Sequence, residues 1–301
     1  MYDQVASNQR RSGALIFAFV ALVMLVGWAF DVLVGAGGIA LVAAFLFAVA
    51  TSFASYFWSD KVALAMSRAR LVSPDEEPRL HNLVEGLCIA AGLPKPRVYV
   101  VDDAAPNAFA TGRNPAHAAI AVTTGLLEKM DRIELEGVIA HELSHVKNYD
   151  ILVSTIAVVL VGMVAILGDM GVRVMWLGGG RRRGRDGGGG GGPAAILAVV
   201  ARVLLVLAPL AARLMHLAVS RRRESLADLT GVTLTRYPPG LASALRKLSA
   251  DSAVVGTASR GTAHLWIESP IEQTQGRGAW LNRLFNTHPP IEERIRVLEA
   301  L

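Results

Sequence analysis

Two histidines with a glutamate between them are the residues of this 301-residue chain whose types and spacing best suit chemistry. His141 and His145 stand four residues apart, so on a helix both imidazoles project from one face and can bind one zinc ion. Glu142 lies about 100° further round the helix, where it can reach a metal-bound water. The spacing predicts a metal-dependent hydrolytic site. The alternative is a pair of ordinary histidines on an amphipathic helix.

A third metal ligand has to come from a distant part of the chain, because a catalytic zinc ion takes three protein ligands and keeps a fourth position for water. Glu224 is the best candidate. Glu224 and Asp228 share a helix face, so one can bind metal while the other accepts a hydrogen bond from a ligating histidine. The same spacing equally fits an acidic pair that offsets the neighbouring arginines at 221–223 on a solvated helix.

The elements that position these residues have clear signals. Asp131 followed by Glu134 forms an acidic capping box, which predicts that the histidine-bearing helix begins there. An earlier helix is predicted from the segment 74–78 to about Ala91, ending at Gly92. Strands are predicted at 97–101 and 118–123 and an extended stretch at 107–111, which together make a small sheet. The apolar residues predicted to face inward on the two helices are Leu80, Leu83, Leu87, Ile89, Ile133, Val138, Ile139 and Leu143.

The composition is that of a membrane protein rather than a simple cytosolic enzyme. Hydrophobic residues make up 52% of the chain, charged residues only 18%, and the mean hydropathy is +0.41. A single cysteine excludes an internal disulfide and a multi-cysteine zinc finger. Two uncharged or nearly uncharged runs, 14–34 and 38–58, are each long enough to cross the bilayer and predict a helical hairpin. Asp31, near the outer end, is expected to reach the lipid headgroups; the alternative is that it faces a partner helix.

Positive charge indicates which side of the hairpin is cytoplasmic. Arg10 and Arg11 precede the hairpin and Lys61, Arg68, Arg70 and Arg79 follow it, whereas the turn between its helices carries no positive residue. Both ends of the hairpin are therefore expected in the cytoplasm. The net charge of +5 is concentrated beside apolar segments and in one insert, which favours a partner of anionic lipid and argues against nucleic acid.

Two further apolar runs, 151–168 and 194–219, flank a Gly/Arg-rich linker at 178–193. The fourth run contains Arg202, which is costly at mid-membrane. If both runs cross, the arginines of the linker lie on the outer side, against the positive-inside rule; a hairpin that dips in from the cytoplasmic side avoids this. The predicted organisation is a membrane hairpin (1–58), a soluble domain (59–150 and 220–301) and a second hydrophobic hairpin (151–219).

Several ordered motifs resemble the HtpX-like membrane zinc metalloproteases, relatives of the CAAX prenyl proteases within the gluzincins. They are the N-terminal hairpin, Asn-Ala-Phe-Ala-Thr-Gly at 107–112, His-Glu-Leu-Ser-His at 141–145, Arg-Arg-Glu-Ser-Leu-Ala-Asp at 222–228 and Thr-His-Pro-Pro-Ile-Glu-Glu-Arg at 287–294. The resemblance covers nearly the whole chain. It implies an α+β membrane protein, with transmembrane helices and a mainly helical gluzincin-type metallopeptidase domain that has a small β-sheet.

The resemblance also implies roles for individual residues. Glu224 would be the third ligand of one Zn²⁺ per chain, and Asp228 a hydrogen-bond partner of a ligand. His288 would stabilise the developing oxyanion, although capping the following helix suits it equally. The edge strand expected to pair with an extended polypeptide substrate consists of Asn107, Ala108, Phe109, Ala110 and Thr111. The remaining histidines, among them His81, His117, His216 and His264, have no spacing that suggests metal.

The functional hypothesis is a multi-pass endopeptidase of the cell inner membrane, with its active site facing the cytoplasm. It would cleave misfolded or damaged membrane proteins by attack of a zinc-bound water on the peptide carbonyl, in a stress-response and protein quality-control role that the resemblance supplies. Two alternatives are a CAAX-type prenyl-peptide protease and a metal-binding membrane scaffold without proteolytic activity. The oligomeric state stays open.

Overall fold

The computed structural model describes residues 2–35, 37–160, 162, 221–251, 253, 255–256, 262–268 and 289–301. The described chain is mainly helical, with one four-stranded sheet, as the sequence predicted. Its helices are α1 Tyr2–Val34, α2 Ile39–Met66, α3 Pro78–Ala91, α4 Thr124–Lys129, α5 Arg132–Lys147, α6 Asp150–Leu160, α7 Arg221–Thr235, α8 Pro238–Ala250 and α9 Ile291–Glu299. Its strands are β1 Arg70–Leu71, β2 Arg97–Val101, β3 Ala108–Thr111 and β4 Ala119–Thr123.

Helices α1 and α2 form the predicted N-terminal hairpin. Both contain a stretch long and apolar enough to cross a membrane, Val5–Trp28 and Ile39–Met66. Both extend beyond the predicted runs, by about three turns at the start of α1 and two at the end of α2. The Asp31 carboxylate accepts hydrogen bonds from the backbone N–H groups of Gly38 and Ala40 at 2.9–3.1 Å. Asp31 therefore caps the start of α2, a role that differs from the predicted headgroup contact.

The third apolar run begins as α6, which packs against the hairpin. Leu152, Val153 and Ile156 of α6 share a buried apolar cluster with Leu15 and Phe19 of α1. This packing holds the first half of α1 directly beside the end of α5. The rest of the third run after α6, apart from Gly162, the linker 178–193 and the fourth run 194–219 lie outside the described residues.

The sheet has the order β1-β2-β4-β3. Strand β2 runs parallel to β4, whereas β1 and β3 are antiparallel to their neighbours. Every residue of β3 and β4 is buried, because α5 covers one face and the other contacts the cluster around Phe109 and Trp266. The predicted extended stretch thus forms a true edge strand, with Asn107 immediately before it.

Helix α5 lies at the centre of the sheet-containing part of the molecule, and two glycines let its neighbours approach closely. A Cβ at Gly231 of α7 would lie 3.0 Å from the backbone nitrogen of His141, and a Cβ at Gly137 of α5 would lie 2.8 Å from that of Leu241 in α8. Because Gly231 stands one turn beyond Asp228, its close approach brings the acidic face of α7 against the histidines of α5.

Two apolar residues lie on a different face from the one predicted. Ile89 is 78% exposed and Ile133 is 51% exposed. The buried stripe of α3 runs instead through Leu80, Val84, Leu87 and Cys88, the spacing that a single helix face requires. Ile133 lies in the first turn of α5, before that helix enters the core. Helix α3 also begins at Pro78 rather than at Pro74, since Pro78 occupies the first helical position.

Candidate metal centre

The histidine-bearing helix begins at the predicted capping box. The Asp131 side chain accepts hydrogen bonds from the N–H groups of Ile133 and Glu134, and the Glu134 carboxylate accepts one from the N–H of Asp131. From this fixed start, α5 carries His141 and His145 on its inner face. Their Nε2 atoms are 3.2 Å apart and their rings are almost perpendicular. The sequence-predicted pair therefore converges on one point.

Glu224 of α7 completes this point. Its carboxylate oxygens lie 3.6 Å from Nε2 of His141 and 3.7 Å from Nε2 of His145. Ligand atoms about 2.1 Å from a tetrahedral zinc ion are separated by about 3.4 Å, so the three observed separations fit one ion. Among the described residues, His141, His145 and Glu224 form the cluster able to hold a metal ion. The donor set of two imidazoles and one carboxylate suits zinc.

The outer nitrogen of His141 faces a carboxylate from the sheet-containing part of the molecule. Its Nδ1 lies 2.9 Å from Asp228 Oδ1. The guanidinium of Arg294, on α9, donates two hydrogen bonds of 2.7 and 2.9 Å to the Asp228 carboxylate. Burial favours the neutral imidazole, but hydrogen bonds to Asp228 and Glu224 outweigh it and raise the pKa of His141 to about 9. Asp228 therefore lies where it can fix the orientation of the His141 ring.

The outer nitrogen of His145 is held by a different carboxylate. Its Nδ1 lies 3.3 Å from Oδ2 of Asp150, the first residue of α6. The backbone between the two residues turns sharply, because Tyr149 adopts a left-handed conformation with φ of +60°. This turn brings a carboxylate five residues further along the chain back against the imidazole. Burial lowers the pKa of His145, but Asp150 and Glu224 outweigh it and raise that pKa above its usual value.

Glu142 is buried beside the cluster, with 2% of its surface exposed. Burial raises the pKa of its carboxyl group, although the neighbouring histidines oppose that shift. Four buried carboxylates and two buried guanidinium groups surround the imidazoles. They belong to Glu142, Asp150, Glu224, Asp228, Arg223 and Arg294. With neutral histidines these groups leave two negative charges, which a divalent cation would neutralise.

A cavity of about 30 Å³ opens onto the cluster. Space of this size holds about two water molecules. Its walls include Glu142, Ala110 of the edge strand and the segment 264–267. Phe109 and Thr111 are the neighbours of Ala110 in β3. The Phe109 ring packs against Trp266, and the Thr111 hydroxyl lies 3.0 Å from that of Thr155.

Part of the edge of β3 is already used by the chain itself. The N–H of Ile267 donates to the carbonyl of Ala108 at 3.0 Å, and the Asn107 side chain donates to the carbonyl of Glu268. Hydrogen-bonding directions alternate along an antiparallel strand, so Ala110 also turns its N–H and C=O towards the outer edge. Of the five residues predicted to bind substrate, Ala110 lines the cavity.

Two residues of the site were missed by the sequence reasoning. Asp150 follows His145 across a helix break, where no periodicity links the two. Arg294 belongs to a quoted motif but has the pattern of a charged surface residue, and it is only 4% exposed. Of the histidines predicted to lie outside the site, His264 lines the cavity with its Nε2 3.0 Å from the Ser154 carbonyl. His288 and His216 lie outside the described residues.

Comparisons with known proteins identify the family of the chain. The profile of peptidase family M48 matches residues 74–301. Proteins named Protease HtpX homolog are similar over 100% of this chain. Those from Tropheryma whipplei (strain Twist) and Streptococcus mutans are each 45% identical, with 98% and 100% of the relative covered. The one from Dictyoglomus thermophilum is 43% identical, with 94% covered.

A solved structure shares the fold. The crystal structure of S. mikatae Ste24p superposes with a TM-score of 0.50 at 16% identity. The match covers 99% of this chain and 67% of that one.

Proposed function

The chain belongs to peptidase family M48 and is a metalloprotease; from this premise we propose that it is a zinc-dependent membrane endopeptidase that cleaves misfolded or damaged membrane proteins at the cytoplasmic face. One observation carries the proposal. The Nε2 atoms of His141 and His145 converge with the Glu224 carboxylate at metal-ligand separations, and Glu142 is buried beside them.

His141, His145 and Glu224 would hold the ion. Both imidazoles direct Nε2 to the same point because each Nδ1 is fixed by a carboxylate, Asp228 for one ring and Asp150 for the other. When bound there, zinc would act as a Lewis acid and lower the pKa of a bound water to about 7. Three protein ligands leave room for that water, which distinguishes the site from a closed structural one.

Glu142 is the proposed general base. Its carboxylate accepts the proton of the attacking water and then donates it to the nitrogen of the leaving amine. Burial raises the pKa of this carboxyl group, so it retains the proton long enough to transfer it. The other described carboxylates that line the cavity have different proposed roles: Glu224 is a metal ligand, and Asp150 positions His145.

Substrate is proposed to bind in an extended form along β3. Ala110 presents its N–H and C=O beside the cavity, so a substrate strand that pairs with Ala110 would carry its peptide carbonyl towards the metal ligands. Main-chain pairing of this kind depends little on side chains, so we expect only a weak preference for particular substrate sequences. Ile267 already uses the Ala108 carbonyl, which confines pairing to the Ala110 end of the strand.

The positions of the helices support the cytoplasmic face. The described metal ligands lie beside the N-terminal end of α1, where Asn8 contacts Asp150. Arg10 and Arg11 stand at that same end, and positive residues mark the cytoplasmic side. Helix α6 then leads directly from the site into an apolar run, so proteins in or near the bilayer are the substrates within reach.

The decisive test compares the parent protein with Glu142→Gln in detergent or proteoliposomes. We expect both proteins to bind one zinc ion, and only the parent to cleave an unfolded membrane protein. Loss of general-base catalysis corresponds to a decrease of roughly 10²–10⁴-fold in rate. Equal cleavage by two zinc-loaded proteins would contradict the role of Glu142. Normal binding without cleavage by either protein would favour the scaffold.

A labelling experiment tests the side of the membrane. Gln9→Cys places a thiol at an exposed position near the site, and Ile39→Cys places one at the exposed start of α2. Cys88 is buried, so it should contribute little thiol labelling of its own. An impermeant thiol reagent applied to intact cells should label Ile39→Cys and leave Gln9→Cys unlabelled until the cells are opened. The reverse pattern would place the site outside.

A further inference from the structure

The turn between α5 and α6 is held by a residue of the first membrane helix. The side-chain nitrogen of Asn8 donates one hydrogen bond of 2.8 Å to the carbonyl of Asn148 and one of 2.6 Å to Oδ1 of Asp150. Asn148 ends α5 and Asp150 begins α6. Asn8 therefore spans both sides of the turn that carries the carboxylate partner of His145.

The chemistry of this contact requires the asparagine amide. Both partners are oxygen acceptors, and an NH₂ group supplies the two donors that they need. Asn8 is 1% exposed, so both hydrogen bonds are shielded from water. Arg223 also faces Asp150 Oδ1, but at 3.7 Å, beyond hydrogen-bonding distance. Of these two groups, Asn8 is the nearer donor to this oxygen, at 2.6 Å.

We propose that Asn8 is a positioning residue for the metal site, acting through Asp150 on the ligand His145. One oxygen of Asp150 accepts from Asn8 and the other lies 3.3 Å from Nδ1 of His145. The three groups form a chain from the cytoplasmic end of α1 to the metal ligand. Since partners of metal-ligating histidines fix the ring orientation, the seating of α1 on the catalytic domain governs the affinity of the site.

The packing around Asn8 makes this coupling specific to one helix face. Leu15 and Phe19, two and three turns further along α1, are buried against Ile156 and its neighbours on α6. Ser12, one turn after Asn8, is also buried, but its hydroxyl donates to the Asn8 carbonyl and does not contact Asp150. Ser12 therefore shares the packing of Asn8 without its link to the metal ligand.

The test measures Zn²⁺ affinity by competition with a chelator in the purified full chain, and the visible spectrum of the Co²⁺-substituted protein. We expect Asn8→Ala to lower Zn²⁺ affinity by about 10-fold or more, the scale for loss of an outer partner of a ligand. The Co²⁺ spectrum should shift as the His145 ring reorients. Asn8→Ser keeps one donor on a shorter side chain, so its Zn²⁺ affinity should lie between those of the parent and Asn8→Ala.

Two controls separate positioning from packing. Ser12→Ala removes a buried hydroxyl on the same face, and Gln9→Ala alters the exposed face. The Zn²⁺ affinity of both variants should stay within about twofold of the parent value, well below the effect of losing a ligand partner. In an Asp150→Ala background, Asn8→Ala and Asn8→Ser should have no further effect on Zn²⁺ affinity. Should Asn8→Ala fail to fold, the same cycle with Asn8→Ser decides the matter.

The inference rests on the proposed metal site, and the outcomes distinguish the two. A parent protein that binds no Zn²⁺ at the histidines would overturn both. A parent that binds Zn²⁺ while Asn8→Ala and Asn8→Ser match Ser12→Ala would overturn the role of Asn8 alone. An undiminished effect of either Asn8 variant in the Asp150→Ala background would overturn it equally, because the residue would then act through another route.

Discussion

The two imidazoles of the candidate metal centre are equivalent in sequence but are supported by different parts of the molecule. His141 is fully buried, and its support, Asp228 with Arg294, comes from α7 and α9 in the sheet-containing part of the molecule. His145 retains 16% side-chain exposure, and its support, Asp150 with Asn8, comes from the start of α6 and from a membrane helix. One motif on one helix therefore joins two structural regions at a single candidate metal centre.

The difference has a physical consequence for each ligand. On the His141 side an arginine makes two hydrogen bonds to the bridging carboxylate, so the orientation depends on a buried ion pair. On the His145 side the bridging carboxylate accepts one hydrogen bond from a neutral amide and faces the Arg223 guanidinium at 3.7 Å, a looser arrangement than the two short hydrogen bonds from Arg294. We infer that the first side is the rigid half of the site and the second the half that responds to the membrane.

Removal of the shared ligand should have the largest effect. Glu224 lies almost equally far from both Nε2 atoms, so Glu224→Ala removes a carboxylate that faces both histidines. We expect Zn²⁺ affinity to fall by more than about 100-fold, exceeding the loss that follows removal of an outer partner. Chelator competition measures this, with Glu128→Ala as a surface control. A variant that retains parental affinity would show that another residue completes the site.

The next comparison removes one supporting carboxylate at a time. Asp228→Asn should lower Zn²⁺ affinity by about 10–100-fold and Asp150→Asn by less, near the lower limit of that range. Asp228→Asn should also lower the melting temperature, because it removes the closest ionic partner of the buried Arg294 guanidinium and leaves only the Glu224 carboxylate, 4.0 Å away. Equal losses of affinity and stability in the two variants would contradict the distinction between a rigid and a responsive half.

Competition between protons and Zn²⁺ for the histidines tests the support of His141 separately. Metal binding requires a neutral Nε2, and the carboxylate partners raise the pKa of His141 to about 9, so below that pH the ion must displace a proton. Apparent Zn²⁺ affinity should therefore rise with pH by at least roughly tenfold per unit between pH 6 and 8 and level off near pH 9. Titrations in metal buffers corrected for the chelator's own protonation measure this slope.

The matched variant for this titration is Asp228→Asn. Without the carboxylate, burial lowers the pKa of His141, so the affinity should level off at a lower pH. A profile identical to that of the parent would mean that Asp228 does not set the protonation of the ligand.

The smallest effect should come from the start of α5, which serves both halves alike. Asp131→Ala removes the side-chain cap of that helix and should destabilise the protein by about 1 kcal/mol. Zn²⁺ affinity should stay unchanged, since the histidines lie three to four turns away. Thermal unfolding in detergent gives the first quantity and chelator competition the second. A selective loss of affinity would mean that the cap positions the ligands.

The local parts of this structure were predictable because local rules determine them. The capping box at Asp131, the end of α3 at Gly92, the strands and the His-Glu-Leu-Ser-His helix follow from hydrogen-bonding and periodicity over a few residues. Glu224 and Asp228 were found because i, i+4 spacing joins them on one face. Ile89 and Ile133 were placed wrongly, since an apolar residue does not by itself reveal which side of a helix meets the core.

The supports of the imidazoles were not predictable in the same way. Arg294 is separated from His141 by 153 residues and Asn8 from Asp150 by 142, so only the packing of helices brings them together. Asp150 is close in sequence to His145, but the left-handed turn at Tyr149 removes any helical register between them. The sequence thus pointed to the candidate ligands and to Asp228, whereas the contributions of Asp150, Arg294 and Asn8 emerged only from the tertiary structure.

The most direct test of the account is a crystal structure of the zinc-loaded protein with anomalous data collected on both sides of the zinc absorption edge. We expect a single zinc peak about 2.0–2.2 Å from Nε2 of His141, Nε2 of His145 and a carboxylate oxygen of Glu224, with Glu142 beside the remaining position. A zinc peak bound elsewhere, or one that lacks Glu224 as a ligand, would contradict it.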